Sequence, residues 1–252
     1  MQDSLTPTDA EFLDPIIEFP SGERFERIQA ITDFRRDDSL GEARILFLCR
    51  RVQGQVTGEV TGEANGKLET EDEEKFVLKV KVQVPSLQPN GIKTPLSGPR
   101  AQTQAEINAL RLFVTTSQRN VPHLIATKTE PQTEKGLFPG GYVAYVVMTL
   151  MPGLNLMDLK FWSQSDQVKE EIRGAFIVLL KEIWRVGFAP YDCALRNILW
   201  EAETKTCSIV DFEHYEPAKD PVNMHITHEM QRWGVVQKPP APSWHHAWME
   251  GH

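Results

Sequence analysis

The chain has 252 residues, of which 40% are apolar and 25% charged, and its formal net charge is −8. This composition supports a hydrophobic core and excludes a chain built mainly from membrane-spanning segments. The acidic balance argues against nucleic acid or an anionic membrane surface as a partner. The three cysteines have no paired spacing, so we expect free thiols in a reducing, cytoplasmic compartment.

The first half of the chain is predicted to be rich in strands. Residues 1–24 predict a flexible leader, and the glycine-rich, acidic stretch 53–75 predicts a flexible insertion. Residues 76–84 alternate, with Phe76 and Leu78 on one face and Lys79 and Lys81 on the other, which is typical of a strand. The remaining predictions are strands at 44–49, 123–129 and 142–149, a helix at 100–114 and a hinge at 151–153.

The second half is predicted to be mainly helical. A short helix is expected at 155–162 and a long one at 167–186, with polar residues for its N-cap at 163–166 and Gly187 as its C-terminal stop. Two short strands are expected at 197–200 and 207–210.

Two acidic motifs adjoin these short strands. Asp192 and Asn197 lie five residues apart in the segment YDCALRNIL, and Asp211 follows fourteen residues after Asn197 in the segment SIVDFE. Carboxylate and amide oxygens bind Mg²⁺, and a carboxylate can accept the proton of an attacking hydroxyl. Each residue alone is compatible with a cap or a turn, but the three together favour a phosphoryl-transfer site.

Four segments in order resemble those of protein-kinase-like enzymes. Residues 192–199 resemble the tyrosine-kinase catalytic loop, and 211–213 are similar to the metal-binding motif of choline-kinase and aminoglycoside-phosphotransferase relatives. Residues 76–80 resemble the Val-Ala-Ile-Lys strand, and 105–110 the helix that supplies an ion-pairing Glu.

The resemblance implies an α+β, bilobal protein-kinase-like fold. The N-lobe, an antiparallel sheet with one helix, would span 25–150, and a truncated, mainly helical C-lobe would span 151–252. The short segment after Asp211 resembles RIO-type and lipopolysaccharide-sugar kinases, which makes a peptide substrate in the usual groove unexpected.

The resemblance also implies two cofactors, ATP and Mg²⁺, with a small-molecule or atypical hydroxyl as the acceptor. Lys81 lies on the same strand face as Lys79 and is an alternative phosphate lysine. The implied roles are Asp192 as the base, Arg196 as a cation for the γ-phosphate, Asn197 and Asp211 as metal ligands, Lys79 as the phosphate lysine held by Glu106, and Met148, Leu150 and Met151 as the adenine contacts.

The chain also departs from the kinase pattern. Pro190 and Tyr191 stand where protein kinases usually have His and Arg, and residues 37–43 contain one glycine and three acids where a phosphate cradle needs several glycines. Two alternatives therefore remain: an inactive kinase-like module that binds a nucleotide or a protein partner, the latter on its C-lobe, and nucleotidyl transfer.

The aromatic and histidine-rich end of the chain predicts packing rather than chemistry. The order of His225, His228 and Glu229 differs from the zinc-peptidase motif His-Glu-x-x-His, so these residues and the pair His245 and His246 are expected to hold no metal. Three tryptophans are expected to pack onto the C-lobe: Trp233, Trp244 and Trp248.

Overall fold

The computed structural model describes residues 12–52, 74–218 and 225–236. Most of the predicted insertion and the tail that carries Trp244, His245, His246 and Trp248 lie outside these ranges, as do residues 1–11. Contacts divide the described residues into two compact units. The first comprises the residues up to Pro99 together with Ile125–Leu150, and the second comprises Arg100–Leu124 and the residues from Met151 onward.

A seven-stranded sheet forms the first unit. Its order is β1-β2-β4-β5-β7-β6, with β3 on β4, and the pairings along β1-β2-β4-β5-β7 are antiparallel. Alternate apolar side chains of β4, β5 and β7 form the core on one face, so the three corresponding strand predictions are correct. The strands are β1 Ile16–Glu18, β2 Arg24–Ala30, β3 Arg35–Asp37, β4 Glu42–Arg51, β5 Lys75–Gln83, β6 Leu124–Pro131 and β7 Tyr142–Thr149.

Residues 12–24, predicted as part of a flexible leader, are ordered in the structure. They contribute β1 to the edge of the sheet and three buried apolar side chains, Leu13, Ile17 and Phe19, to the core. Arg27 on β2 donates to the carbonyl oxygens of Leu13 at 2.6 Å and Asp14 at 2.9 Å. These long-range contacts hold a proline-containing segment whose apolar residues are too few and too irregularly spaced to predict a strand.

The second unit contains the three helices of the described ranges and two small sheets. The helices are α1 Ala101–Thr115, α2 Asp166–Arg185 and α3 Ile226–Arg232. The strands are β8 Leu154–Asn155, β9 Phe188–Pro190, β10 Ile198–Glu201, β11 Thr206–Ile209 and β12 Tyr215–Pro217. The predicted α+β class is confirmed. Among the described residues, no helix is both long enough and apolar enough to cross a membrane.

The core of the second unit lies between α2 and the small sheets. Ser165 caps α2 by accepting the backbone N–H of Val168 at 3.3 Å, and the helix buries an apolar stripe that includes Phe176. Trp233 is buried and lies edge-on to Phe176 at 5.3 Å, which confirms its predicted packing. The helix α1, which the sequence grouped with the sheet, contributes Phe113 to this core instead; the domain boundaries otherwise stay predictions.

The predicted short helix at 155–162 is wrong. Asn155 pairs with Leu199 in β10, and its side-chain oxygen accepts the backbone N–H groups of Met157 at 3.0 Å and Asp158 at 2.9 Å. Lys160 has a φ of +54°, which ends any helix, so a turn and the 3-10 segment Phe161–Ser163 replace it.

Cys49 makes the stability of the first unit sensitive to alkaline pH. Burial raises the pKa of its thiol to about 12, whereas an unfolded cysteine titrates near about 8.5. As the pH rises, the thiol therefore loses its proton in the unfolded state first. The contribution of Cys49 to the free energy of unfolding is complete below about pH 8.5 and declines as the pH approaches 12. Between pH 9 and 10 we expect the wild-type free energy of unfolding to fall by about 1.4 kcal/mol more than that of Cys49→Ala. Urea unfolding at the two pH values tests this, and equal slopes would contradict it.

Candidate active site

The loop that carries Asp192 connects β9 to β10 in the second unit. Cys193 and Leu195 are buried in the core, and the Leu195 carbonyl accepts the backbone N–H of Leu156 at 3.2 Å. The chain then makes a 3-10 turn over Leu195–Asn197. Three consecutive buried residues, 193–195, therefore separate Asp192 from Arg196. The side chains of Asp192 and Arg196 remain partly exposed, 21% and 33% accessible.

Three of the residues predicted for catalysis or metal binding come together in this loop. One terminal nitrogen of Arg196, Nη2, lies 2.9 and 2.7 Å from the two carboxylate oxygens of Asp192. The amide nitrogen of Asn197 donates to the Asp192 carbonyl at 3.0 Å and lies 3.5 Å from its carboxylate. Because the nitrogen side of the Asn197 amide is used in this way, its oxygen is the atom that can bind a cation.

The backbone that leads into Asp211 lies beside that of Asn197. The backbone N–H of Val210 donates to the Asn197 carbonyl at 3.0 Å, so the two predicted metal ligands are adjacent along neighbouring backbones. Asp211 has a φ of +68°, a left-handed conformation that is uncommon outside glycine and that concentrates at functional sites. Phe212 fixes this bend, because its buried ring packs against Phe113 at 4.6 Å and Phe188 at 6.5 Å.

A cluster of three carboxylates, Glu106, Asp211 and Glu213, lies in the second unit. Their ligand atoms lie within 4.8 Å of one another. Glu106 and Phe113 are seven residues, or two turns, apart and therefore lie on the same face of α1. Phe113 contacts Phe212, the residue between Asp211 and Glu213, so this face of α1 is the one that meets the segment 211–213. We call these three residues the acidic cluster.

Glu213 is the member of the acidic cluster that sequence analysis missed. Asp211 and Glu213 stand on either side of Phe212 in the sequence, and the Phe212 side chain is buried. This alternation was a usable signal. Glu106 was predicted to hold Lys79 and is found here among the acids of the second unit, while Lys79 belongs to the first.

The predicted nucleotide residues of the first unit share one face of the sheet. Lys79 lies opposite Val146, and Met148 opposite Val77, so both side chains stand on the face away from the apolar core. Both are buried, whereas Leu150 beyond the end of β7 is 43% exposed. Met151 belongs to the second unit.

Lys81, the alternative phosphate lysine, forms an ion pair on this face. Its ammonium lies 3.2 Å from the carboxylate of Glu42, and both side chains are less than 10% exposed. The hydroxyl of Tyr142 also donates to Glu42, at 2.5 Å. Lys81 is therefore part of a buried ion pair on this face of the sheet.

The hairpin at residues 37–42 differs from a glycine-rich phosphate loop. The Asp37 carboxylate accepts the backbone N–H groups of Ser39 at 2.9 Å and Leu40 at 3.1 Å. Backbone N–H groups of this kind bind phosphate in a glycine-rich loop, so an internal anion takes that place here.

Comparison with known proteins gives structural matches but no family. No protein-family model matches the chain, and no curated protein does. Among 973 matching chains of solved structures is the PK-1 kinase of Cydia pomonella granulovirus, which is 13% identical with a TM-score of 0.43. The match covers 77% of this chain and spans 55% of that kinase.

Proposed function

We propose that this protein is an ATP- and Mg²⁺-dependent phosphotransferase acting on a hydroxyl of a small-molecule or atypical substrate. The observation that carries the proposal is the association of Asp192 with Asn197, and of Asn197 with the backbone of Val210 directly before Asp211, inside one compact unit. An acid that can take a proton stands next to oxygen ligands suited to a hard cation.

In the proposed reaction, Asp192 orients the acceptor hydroxyl and takes its proton. The hydroxyl oxygen forms a bond to the γ-phosphorus while the bond from that phosphorus to the β,γ-bridging oxygen breaks, and ADP leaves. Arg196 holds the carboxylate of Asp192 at 2.9 and 2.7 Å, so we assign it the orientation of the base in addition to its predicted attraction for the γ-phosphate.

The donor set of the second unit fits Mg²⁺. Two oxygens bound to one Mg²⁺ lie at most about 4.2 Å apart, because each bond is about 2.1 Å long. The acidic cluster spans no more than 4.8 Å, so small side-chain rotations suffice. Asp211 and Glu213 of this cluster would hold the ion, and Asn197, which lies outside the measured cluster, would be the third ligand that the resemblance implies. When bound, the ion would neutralise charge on the phosphates. Close carboxylates repel one another, so a cation would also stabilise the cluster itself.

We assign nucleotide binding in the first unit to the sheet face that carries Lys79 and Met148. Lys79 would neutralise phosphate charge, the role that the resemblance of residues 76–80 to the Val-Ala-Ile-Lys strand implies, and Lys81 would hold Glu42. Met148 and Leu150 would contact the adenine ring from this unit. The predicted roles of Glu106 as the partner of Lys79 and of Met151 as an adenine contact stay predictions.

Thermal melting with ATP tests the metal dependence of this site. At ATP a hundred times above its Kd we expect stabilisation of about 2.7 kcal/mol with Mg²⁺, a melting temperature higher by about 5 to 10 °C. Replacing Mg²⁺ with EDTA, or introducing Asp211→Asn, should remove most of this increase. Asp166→Asn is the control, because the Asp166 side chain is 98% exposed. If the Mg²⁺-dependent increase in melting temperature is the same in Asp211→Asn as in wild type, Asp211 is not a metal ligand.

The second candidate is a kinase-like binding module without turnover. The observation that favours it is the Asp37 carboxylate on the backbone of the 37–42 hairpin. An anion beside those N–H groups opposes phosphate binding both sterically and electrostatically. A melting temperature that no nucleotide changes, with or without Mg²⁺, would favour this module over the phosphotransferase.

A further inference from the structure

The loop before Asp192 is held by a helix that follows it in the chain. Pro190, the last residue of β9, lies two residues before Asp192, and its carbonyl accepts from Nη2 of Arg232 on α3 at 3.4 Å. The thiol of Cys193 lies 3.3 Å from the same oxygen. Burial raises the pKa of Cys193 well above its usual range, so the thiol stays protonated and can donate. Two donors, the Cys193 thiol and Nη2 of Arg232, thus converge on the carbonyl of Pro190.

Arg232 is itself held in place. Its Nη1 donates to both carboxylate oxygens of Glu229 at 2.9 Å. The side chain of Glu229 is 7% exposed and that of Arg232 is 21% exposed. A charge-assisted contact at this depth is screened less by solvent and restricts the guanidinium to a narrow range of positions.

Arg232 and Glu229, which together we call the brace, contact a loop that lacks its usual supporting residues. Pro190 and Tyr191 replace the His and Arg that commonly precede the catalytic Asp. Pro190 also lacks a backbone N–H, so its carbonyl is the one backbone hydrogen-bonding group of this residue. The N–H of Tyr191, which belongs to the same peptide group as that carbonyl, donates to the carbonyl of His214 just before β12 at 2.9 Å, so Arg232 and the chain before β12 hold the two sides of one peptide.

We propose that Arg232, fixed by Glu229, is a positioning residue that sets the direction of the chain entering Asp192. The inference rests on the proposed phosphotransferase function. A displacement of a catalytic group by about 1 Å can cost about a hundredfold in rate, so a weakened brace should lower kcat while leaving nucleotide binding unchanged. This assigns a role in catalysis to α3, outside the motifs recognised in the sequence.

The test compares two arginines with the same kind of contacts. Arg173 on α2 also pairs with a Glu three residues earlier, Glu170, and also donates to a backbone carbonyl, that of Val235 at 2.7 Å. Its side chain is 20% exposed, and it lies on a different helix from Arg232. Arg173→Lys therefore makes the same substitution at a comparable pair of contacts without touching Pro190, although its partner Glu170 is 70% exposed and the partner of Arg232, Glu229, is 7% exposed. Lysine keeps the charge but cannot reach the carboxylate and the carbonyl together with a planar fork.

The first readout is hydrolysis of MgATP, with water in place of the unidentified acceptor. We expect kcat of Arg232→Lys to be lower by about tenfold or more, with the KM for ATP within about twofold of wild type. Arg173→Lys should retain wild-type kcat. A kcat loss of the same size in both variants, or in neither, would overturn the positioning role.

The second readout does not depend on turnover. Backbone hydrogen exchange of residues 188–197 should be faster in Arg232→Lys than in wild type and unchanged in Arg173→Lys, because loss of the brace opens this loop locally. If the wild type fails to hydrolyse MgATP, the proposed function fails while faster exchange still supports the brace. If exchange of 188–197 is the same in both variants, the brace is overturned whatever the activity.

Discussion

Asp192→Asn should lower the rate of phosphoryl transfer by a hundredfold or more, within the range of about 10² to 10⁴ typical for loss of a general base. The amide has nearly the same shape as the carboxylate and can still accept from Arg196 and Asn197. It cannot take the proton of the acceptor hydroxyl. ADP formation at saturating MgATP, with water or an identified acceptor, measures the effect.

Nucleotide binding provides the control for this variant. The increase in melting temperature caused by MgATP should be retained in Asp192→Asn, because the proposed metal and phosphate ligands are other residues. Asp166→Asn makes the same chemical change at a site that is 98% exposed and should keep the wild-type rate. If Asp192→Asn and wild type form ADP equally fast, Asp192 is not the base.

Lys81→Met should destabilise the protein by about 3 to 5 kcal/mol. The substitution leaves the carboxylate of Glu42 buried without the ammonium that lies 3.2 Å away, and an uncompensated buried charge is expensive. Urea unfolding followed by circular dichroism measures the change. The double variant Glu42→Gln with Lys81→Met should recover most of the loss, because it removes both charges and keeps an acceptor for the Tyr142 hydroxyl.

Substitution of each lysine on this strand face distinguishes the role of Lys79 from that of Lys81. Lys81→Met should leave the MgATP-induced change in melting temperature nearly intact once the lower starting stability is allowed for. Lys79→Met, two residues earlier on the same face, should reduce that change. The opposite result would be a reduced MgATP-induced change in melting temperature in the double variant Glu42→Gln with Lys81→Met, and a normal change in Lys79→Met. That result would show that Lys81, and not Lys79, binds phosphate.

Local patterns in the sequence were sufficient for the regular elements. The alternation of residues 76–84 predicted β5, and a run of apolar and β-branched residues predicted β7 with its observed bounds, Tyr142–Thr149. The apolar stripe and the polar cap predicted α2, which ends before Gly187 with a φ of +93°. These signals depend on residues a few positions apart, so they are visible without the fold.

Long-range contacts decided the elements that sequence reasoning missed. Asn155 was placed in a helix, but its pairing with Leu199 drew it into a strand. The segment that includes Ile17 and Phe19 has polar, proline-containing surroundings, yet the edge of the sheet orders it. The grouping of Glu106 with Asp211 and Glu213 likewise depends on how Phe113 packs against Phe212.

The amino-acid sequence by itself determined which chemistry the second unit can offer, because Asp192, Asn197 and Asp211 occur at short spacings around two short strands. Only the tertiary structure decided which neighbours those groups have. It placed Arg196 on the carboxylate of Asp192, Glu213 and Glu106 beside Asp211, and Arg232 behind Pro190. The physical reason is that residue type and spacing set local dihedral preferences and donor chemistry, whereas contacts between distant segments are chosen by burial of the whole core.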